Sequence, residues 1–367
     1  MKTRPTPQVS PVPNEYVSQR GRRRSRARLV LVALAVLLVV FFLLSMILGS
    51  VWVPPDRVLS ILLGQNVSNA ENAIVMEVRL PQALTALLAG AALGIAGLQM
   101  QTLFRNPLAD PFALGIASGA SLGVALVLLA GGSAAYGVLS SSLGLVGDAV
   151  VTAASILGAG LALTVVLSIS TRVENPATIL ILGLMVGYAA SAFVTVIVAG
   201  ADPAQLQRWI AWGFGSFSGV TWQRLLIFAP LVAAGLAVAA ATTKQLDALL
   251  LGENYARSLG LNVERMRLAT MMGASILGGV VTAFCGPIAF LGVAIPHMCR
   301  ALLGSSDHRV LVPATILLGG IVALVAQLVS LTPGNSGVLP LNAVTALIGA
   351  PVVVLFLMRS RRGAFTA

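Results

Sequence analysis

Long stretches of apolar residues alternate with short polar segments along almost the whole chain. A helix needs about 20 mainly apolar residues to cross the hydrocarbon core of a bilayer. Stretches of about this length occur at residues 29–48, 80–104, 112–129, 149–170, 177–199 and 225–241. Each of them predicts a membrane-spanning helix.

Two longer uncharged stretches follow, and each has room for more than one span. Residues 268–299 contain no Asp, Glu, Lys or Arg, and the helix-breaking pair Gly286-Pro287 interrupts them. Residues 310–358 also lack these four residue types, and TPGNSG at 332–337 divides them. We predict four further helices here, the second reaching residue 303. The pattern as a whole predicts an all-α integral membrane protein with about ten transmembrane helices.

The composition agrees with residence in lipid. Of the 367 residues, 57% are hydrophobic and 10% are charged, whereas a soluble domain carries about 25% charged residues. Small residues four positions apart, such as Gly90 and Gly94, predict faces on which membrane helices pack closely.

The net charge of +11 reflects orientation in the membrane rather than affinity for nucleic acid. Arginines cluster at 20–28 and again after the last apolar stretch, and basic flanks mark the cytoplasmic side. Ten helices place both termini there and leave four basic residues outside: Arg57, Arg79, Arg208 and Arg224. We interpret residues 1–28 as a disordered basic cytoplasmic tail that contacts membrane lipid, and residues 29–360 as one transmembrane domain.

The segment LGENYARSLGL at 251–261 is a polar exception, and the topology places it in the cytoplasm. As a helix it aligns Leu251, Tyr255 and Leu259 on one face, with Gly260 as its C-terminal stop. Glu253 and Arg257 lie four residues apart, in the favourable order for an ion pair. With a short helix before it at 244–251, the segment forms either a surface that is presented to a partner or an ordinary amphipathic connector.

No motif in the chain supplies catalysis or energy. The sequence has no GxxxxGK[ST] loop, no HExxH or GxSxG motif and no metal-ligand spacing, and Cys285 and Cys299 both fall in apolar sequence. We therefore predict no catalytic residue, no cofactor and no metal site. The helix interiors also lack ionisable groups apart from His297, which argues against an ion-coupled secondary transporter. A membrane receptor or scaffold remains a second alternative.

Six motifs, in order from about residue 30 to 360, carry a resemblance to a known family. They are RLP at 79–81, Q-x-LFRNPLADP-x-x-LG at 101–115, W-x-x-G-S-x-S-G at 212–219, LGE-x-x-A-x-SLG at 251–260, G-x-I-x-F-x-G-x-x-x-PH at 286–297 and LP-x-x-x-x-TALIGAP at 339–351. In these motifs the chain resembles the permease subunit of the iron–siderophore and vitamin B12 class of ABC importers.

The resemblance implies a multi-pass protein of the bacterial cell membrane, paired with a second copy or a close relative. It also implies two cytoplasmic ATPase subunits and an extracytoplasmic binding protein. The expected cargo is a ferric siderophore, or else haem or a corrinoid.

The resemblance further implies roles for three groups of residues. The expected ATPase-coupling residues are Leu251, Gly252, Glu253, Ala256, Arg257, Ser258, Leu259 and Gly260. The expected docking residues for the binding protein are Arg57, Arg79 and Arg208. Gly286, Pro287, Pro296 and His297 are candidates for a helix break or gate, although a hydrogen bond at a helix end is favoured for His297 over contact with substrate.

Overall fold

The computed structural model describes residues 14–49, 51–65, 68–129, 145–173, 175–331 and 338–364, and within them every regular element is a helix. The helices are α1 Asn14–Ile47, α2 Pro55–Leu62, α3 Asn69–Ala73, α4 Leu80–Phe104, α5 Ile116–Leu128, α6 Leu145–Ser170, α7 Pro176–Ala199, α8 Pro203–Gly213, α9 Trp222–Ala241, α10 Thr243–Leu250, α11 Glu253–Ser258, α12 Val263–Cys285, α13 Leu291–Leu303, α14 His308–Ser330 and α15 Leu341–Ala364. A π-helical segment, Ile74–Arg79, joins α3 to α4, and a 3₁₀ turn, Pro111–Leu114, precedes α5.

The helices confirm the predicted all-α membrane fold. Among the described residues, eight helices are long and apolar enough to cross a membrane, and α5 and α13 are shorter apolar helices. Together they correspond to the ten apolar stretches of the sequence, and the break predicted at Gly286-Pro287 is present because α12 ends at Cys285.

The segment that precedes the short helix α5 packs into the bundle. A helix of 13 residues, the length of α5 and of α13, is about 20 Å long, whereas the hydrocarbon core is about 30 Å thick. Before α5, the side chain of Pro111 packs against Gly278 of α12 and Gly292 of α13. Asp110 caps the 3₁₀ turn there, since its Oδ1 accepts a hydrogen bond from Ala113 N at 2.9 Å.

The N-terminal helix is longer than the sequence predicts. It begins at Asn14, so residues 14–28 are helical where a disordered tail is expected; residues 1–13 lie outside the described residues. Arginine is a good helix former, and a helix that has already nucleated in an apolar stretch extends at little cost.

The helix that runs through α4 occupies the centre of the molecule. It is continuous from Asn69 to Phe104, and 83% of its most apolar stretch is buried. Small residues permit this burial, because a Cβ placed on Gly90 would lie 2.1 Å from the carbonyl oxygen of Gly319 in α14. The close packing predicted for Gly90 is therefore present, and it holds α4 directly against α14.

Candidate functional site

Two short helices form the polar cytoplasmic segment, as the sequence predicts. α10 continues from α9, and α11 follows after the tight connection at Gly252, whose φ is 122°. At the end of α11, Gly260 N donates to Arg257 O at 3.0 Å and Leu261 N donates to Ala256 O at 3.1 Å. These two bonds, with a φ of 82° at Gly260, form a Schellman motif and confirm the predicted stop.

The three side chains of the predicted apolar row are exposed, but they do not share one helix, because Leu251 precedes the break at Gly252 and α11 ends before Leu259. Leu251, Tyr255 and Leu259 are 68%, 49% and 57% exposed, whereas Ala256 is fully buried. A short helix usually turns its larger apolar side chains inward. Here the small residue holds the helix to the bundle, and the large ones are available to a partner.

The ion pair predicted between Glu253 and Arg257 is wrong. Glu253 Oε1 instead accepts from Arg267 Nη2 of α12 at 3.1 Å. The Arg267 side chain is only 10% exposed, and a buried guanidinium needs an opposite charge more than an exposed one does. Arg257 remains exposed on the cytoplasmic surface.

A basic cavity lies beside α11, between the α6–α7 turn and the start of α12. Its volume is about 750 Å³. Four arginines and two glutamates contribute to its wall: Arg172, Arg257, Arg265, Arg267, Glu253 and Glu264. The cytoplasmic surface next to the candidate coupling residues is therefore positively charged.

Side-chain contacts tie α10 to membrane helices that are distant in the sequence. Arg105 ends α4 with a φ of 46°, and its Nη2 donates to the carbonyl oxygen of Leu249 in α10 at 2.9 Å. Asp247 of α10 contacts His308, the first residue of α14, and His308 contacts Thr102 of α4. None of these contacts could be inferred from the sequence, where Arg105 stands within the LFRNPLADP motif and His308 lies outside every motif.

Arg79 is not placed to dock a binding protein. It is 6% exposed, and its Nη1 donates to the carbonyl oxygens of Met46 at 2.6 Å and Ile47 at 2.9 Å. Nη2 donates to Val51 O. Arg79 thus serves carbonyls at the end of α1 and just beyond it, and its burial argues against the predicted docking role.

The other two candidate docking residues lie on short helices that the predicted topology places on the extracytoplasmic side. Arg57 of α2 is half exposed and forms an ion pair with Glu71 of α3. Arg208 of α8 is partly exposed. Docking by either residue stays a prediction.

The predicted helix break at Gly286-Pro287 forms a packed outer turn. Gly286 has a φ of 75°, and a Cβ there would lie 2.4 Å from Trp212 O. Ser216 N donates to Cys285 O at 2.7 Å, and Asn342 Oδ1 accepts from Ala289 N at 3.0 Å. The turn is therefore held by the W-x-x-G-S loop and by the start of α15; a gating role for it stays a prediction.

His297 forms the hydrogen bond that was favoured for it, but not at a helix end. It follows Pro296 at the middle of α13. Its Nε2 lies 2.7 Å from Pro107 O and therefore carries the hydrogen, since a carbonyl oxygen only accepts. The ring also stacks on Phe356 with centroids 4.0 Å apart. The contact fastens the FRNPLADP segment to α13.

No group of three or more His, Cys, Asp or Glu residues in the described part of the chain is arranged to hold a metal ion. Cys285 and Cys299 are buried free thiols.

The fold and the cytoplasmic segment define a polytopic transport subunit without an ATP site of its own. The family model described as the FecCD transport family matches residues 37–359. The chain belongs to this family and is the membrane-spanning permease subunit of an ABC importer, a multi-pass protein of the bacterial cell membrane.

Curated relatives match almost end to end. The vitamin B12 import system permease protein BtuC of Klebsiella pneumoniae is 36% identical over 340 residues, which are 92% of this chain and 96% of that protein. BtuC of Citrobacter koseri is 32% identical over 347 residues, 95% of this chain and 98% of that protein.

A solved structure shows the same fold. It is described as an inward-facing metal-chelate type ABC transporter, and the TM-score is 0.76 at 27% identity. The match covers 90% of this chain and 99% of the other.

Proposed function

We propose that this chain, with a second copy or a close relative, forms the membrane passage of an ATP-driven importer for an organic metal chelate. Two cytoplasmic ATPase subunits supply the energy, and an extracytoplasmic binding protein delivers the cargo. In this proposal Leu251–Gly260 is the surface on which the ATPase seats.

The exposed row of Leu251, Tyr255 and Leu259 is the observation that carries the proposal. Large apolar side chains on a cytoplasmic surface are unfavourable unless a partner covers them. The buried Ala256 and the Schellman motif at Gly260 fix α11 and its end, as a segment that transmits a displacement requires. An ordinary connector needs neither a rigid end nor exposed apolar side chains.

The lining of the bundle favours a chelate over a free metal ion. A bare divalent cation needs several oxygen, nitrogen or sulfur ligands to replace its water shell. Among the described residues, no three or more His, Cys, Asp or Glu side chains are grouped to supply such ligands. A chelator brings its own ligands to the metal and presents an organic surface to the wall.

Three cargoes fit this chemistry. The motifs resemble a class that includes ferric siderophore importers, which makes a ferric siderophore the first candidate. The curated relatives carry the name of vitamin B12 permeases, and this favours a corrinoid as the second. Haem is a third chelate of the same kind.

Uptake by a reconstituted complex tests the proposal. The chain is purified with its ATPase, placed in liposomes and supplied with binding protein and ATP, and the cargoes are radiolabelled ferric siderophores, cobalamin, haem and free manganese. We expect ATP-dependent accumulation of one chelate class and none of free manganese.

Two results would support the rival functions. Accumulation that follows an ion gradient and needs no ATPase would indicate a secondary transporter. Binding of the partner proteins without any accumulation would indicate a receptor or scaffold. Accumulation of free manganese in preference to every chelate would contradict the proposed cargo while leaving the ATP-driven mechanism intact.

A further inference from the structure

Asp247 of α10 and His308 of α14 form a close polar pair. Asp247 Oδ1 lies 2.6 Å from His308 Nδ1 and also accepts from the backbone N–H of His308 at 3.1 Å. The His308 side chain is 1% exposed, whereas that of Asp247 is 30% exposed. The carboxylate thus holds both the ring and the first turn of α14 to the cytoplasmic helix.

The other ring nitrogen of His308 reaches α4. Nε2 lies 2.9 Å from the hydroxyl oxygen of Thr102, which also lies 2.8 Å from the carbonyl oxygen of Leu98. Nδ1 carries a hydrogen because its partner is a carboxylate. If the ring is neutral, Thr102 donates to Nε2; if it is charged, Nε2 donates to Thr102, which then donates to Leu98. The ring stays bonded to Thr102 in both protonation states.

This chain of contacts joins parts of the molecule that are far apart in the sequence. Asp247 and His308 are 61 residues apart, and His308 and Thr102 are 206 residues apart. α10 is covalently continuous with α9, and α11 leads into α12. The contacts from Asp247 through His308 to Thr102 add a direct connection to α4 and α14, which pack on each other through Gly90 and Gly319.

The buried face of α10 makes the connection stiff. Leu246 and Leu249 are 1% and 3% exposed, and Arg105 at the end of α4 donates to Leu249 O. Apolar packing and the Arg105 contact fix α10 in place along its length. The Asp247–His308–Thr102 chain fixes it to two helices at one point, so a displacement of α10 must move their cytoplasmic ends or break these bonds.

We propose that Asp247, His308 and Thr102 are positioning residues that transmit movement of the ATPase-bound segment to α4 and α14. The proposal rests on the proposed function and deepens it, because it names the helices that the ATPase drives. Energetic coupling between distant sites is carried by packed, hydrogen-bonded contacts with discrete arrangements.

Thr102→Val tests this most directly, because it removes the hydroxyl and keeps the side-chain shape. The matched control is Thr85→Val in the same helix: Thr85 is also fully buried, and its hydroxyl donates to the carbonyl of Pro81 at 2.7 Å. The quantity measured is chelate accumulated per ATP hydrolysed by the complex in liposomes. We expect Thr102→Val to lower this ratio about fivefold or more, with ATPase association and hydrolysis kept. Thr85→Val is expected to leave the ratio unchanged.

Two further variants separate transmission from stability. Thr102→Ser keeps a hydroxyl and is expected to restore the ratio. Asp247→Asn removes the carboxylate. The double variant Asp247→Asn/Thr102→Val is expected to lower the ratio little beyond the stronger single variant, because both substitutions interrupt the same series of hydrogen bonds. Equal losses of folded protein in Thr102→Val and Thr85→Val, with normal ratios in the surviving complexes, would overturn the proposal.

The outcomes also distinguish this proposal from the proposed function. If the unaltered chain binds no ATPase or accumulates no chelate with ATP, the proposed function fails and the transmission role fails with it. If the unaltered chain transports and the Thr102 and Asp247 variants transport equally well per ATP, only the transmission role is refuted.

Discussion

Glu253 pairs with Arg267 across the junction between α11 and α12, with Oε1 and Nη2 3.1 Å apart. The pair fixes the orientation of α11, because Arg267 belongs to a membrane-spanning helix and is largely buried. Glu253 therefore holds the proposed ATPase-binding segment in position, whereas Arg257 is exposed on the same helix, where we propose that it meets a partner. The two residues expected to form one ion pair thus have separate surroundings.

Substitutions of the two residues should therefore give different results. Arg257→Ala should change the free energy of unfolding by less than about 0.5 kcal/mol, as exposed residues usually do, but should weaken ATPase association. Glu253→Ala leaves the buried Arg267 guanidinium without this acceptor and should cost about 1–3 kcal/mol. Thermal unfolding in detergent and co-purification of the ATPase measure the two effects. Equal thermal midpoints in both variants would contradict the assigned roles.

The exposed apolar row should be required for ATPase binding but not for folding. Leu259→Glu places a charge where a partner is expected to bury apolar surface, and we predict at least a tenfold loss of ATPase affinity, since burying a leucine contributes about 1.5–3 kcal/mol. Asn254→Glu is the comparison, because it adds the same charge to the same segment at an exposed position that is not one of the three apolar side chains. Affinity that falls equally in both variants would indicate a general charge effect instead of an apolar contact.

Features that depend on neighbouring residues were predictable from the sequence, and features that depend on distant contacts were not. The stretch 80–104 ends with α4 at Phe104, because hydropathy and the polar residues that follow act locally, although the helix itself already begins at Asn69. The Gly260 stop followed from its position after a short helix. The partner of Glu253 lies 14 residues away, and nothing in the spacing favours it over Arg257.

The role of a charged residue depends on whether its side chain is buried, and the sequence alone does not show which charged side chains are buried. Arg79 begins the RLP motif and was expected on the outer surface, but the end of α1 supplies two carbonyls to it and Val51, just beyond α1, supplies a third. The link from Asp247 to Thr102 was hidden for the same reason, since its residues come from three separate helices.

Arg79 should therefore contribute to stability rather than to docking. Arg79→Lys keeps the charge but not the planar fork that serves several carbonyl oxygens at once. We expect a loss of about 1–3 kcal/mol in the free energy of unfolding, because buried carbonyls lose their donors. Arg57→Ala is the comparison: it removes an exposed ion pair, typically about 0.2–1 kcal/mol. If Arg79→Lys is as stable as the unaltered protein and slows association of the binding protein instead, the docking role is restored.

Docking of the binding protein should depend on Arg57 and on how strongly the Glu71 carboxylate pairs with the Arg57 guanidinium. The Arg57 side chain is 51% exposed and that of Glu71 is 20% exposed, so part of the guanidinium is open to an acidic partner. Charge pairing at the rim of an interface mainly changes the association rate and its dependence on salt. Arg57→Gln should slow association at low ionic strength, and the difference should shrink as salt is added. Glu71→Gln should accelerate association, because it releases Arg57 from its internal partner.

Stopped-flow or surface-based kinetics at several salt concentrations measure both rates. Arg208→Gln, tested alongside, shows whether α8 contributes a second contact. If neither Arg57→Gln nor Glu71→Gln changes the rate at any ionic strength, the Arg57–Glu71 pair serves only to hold α2 against α3.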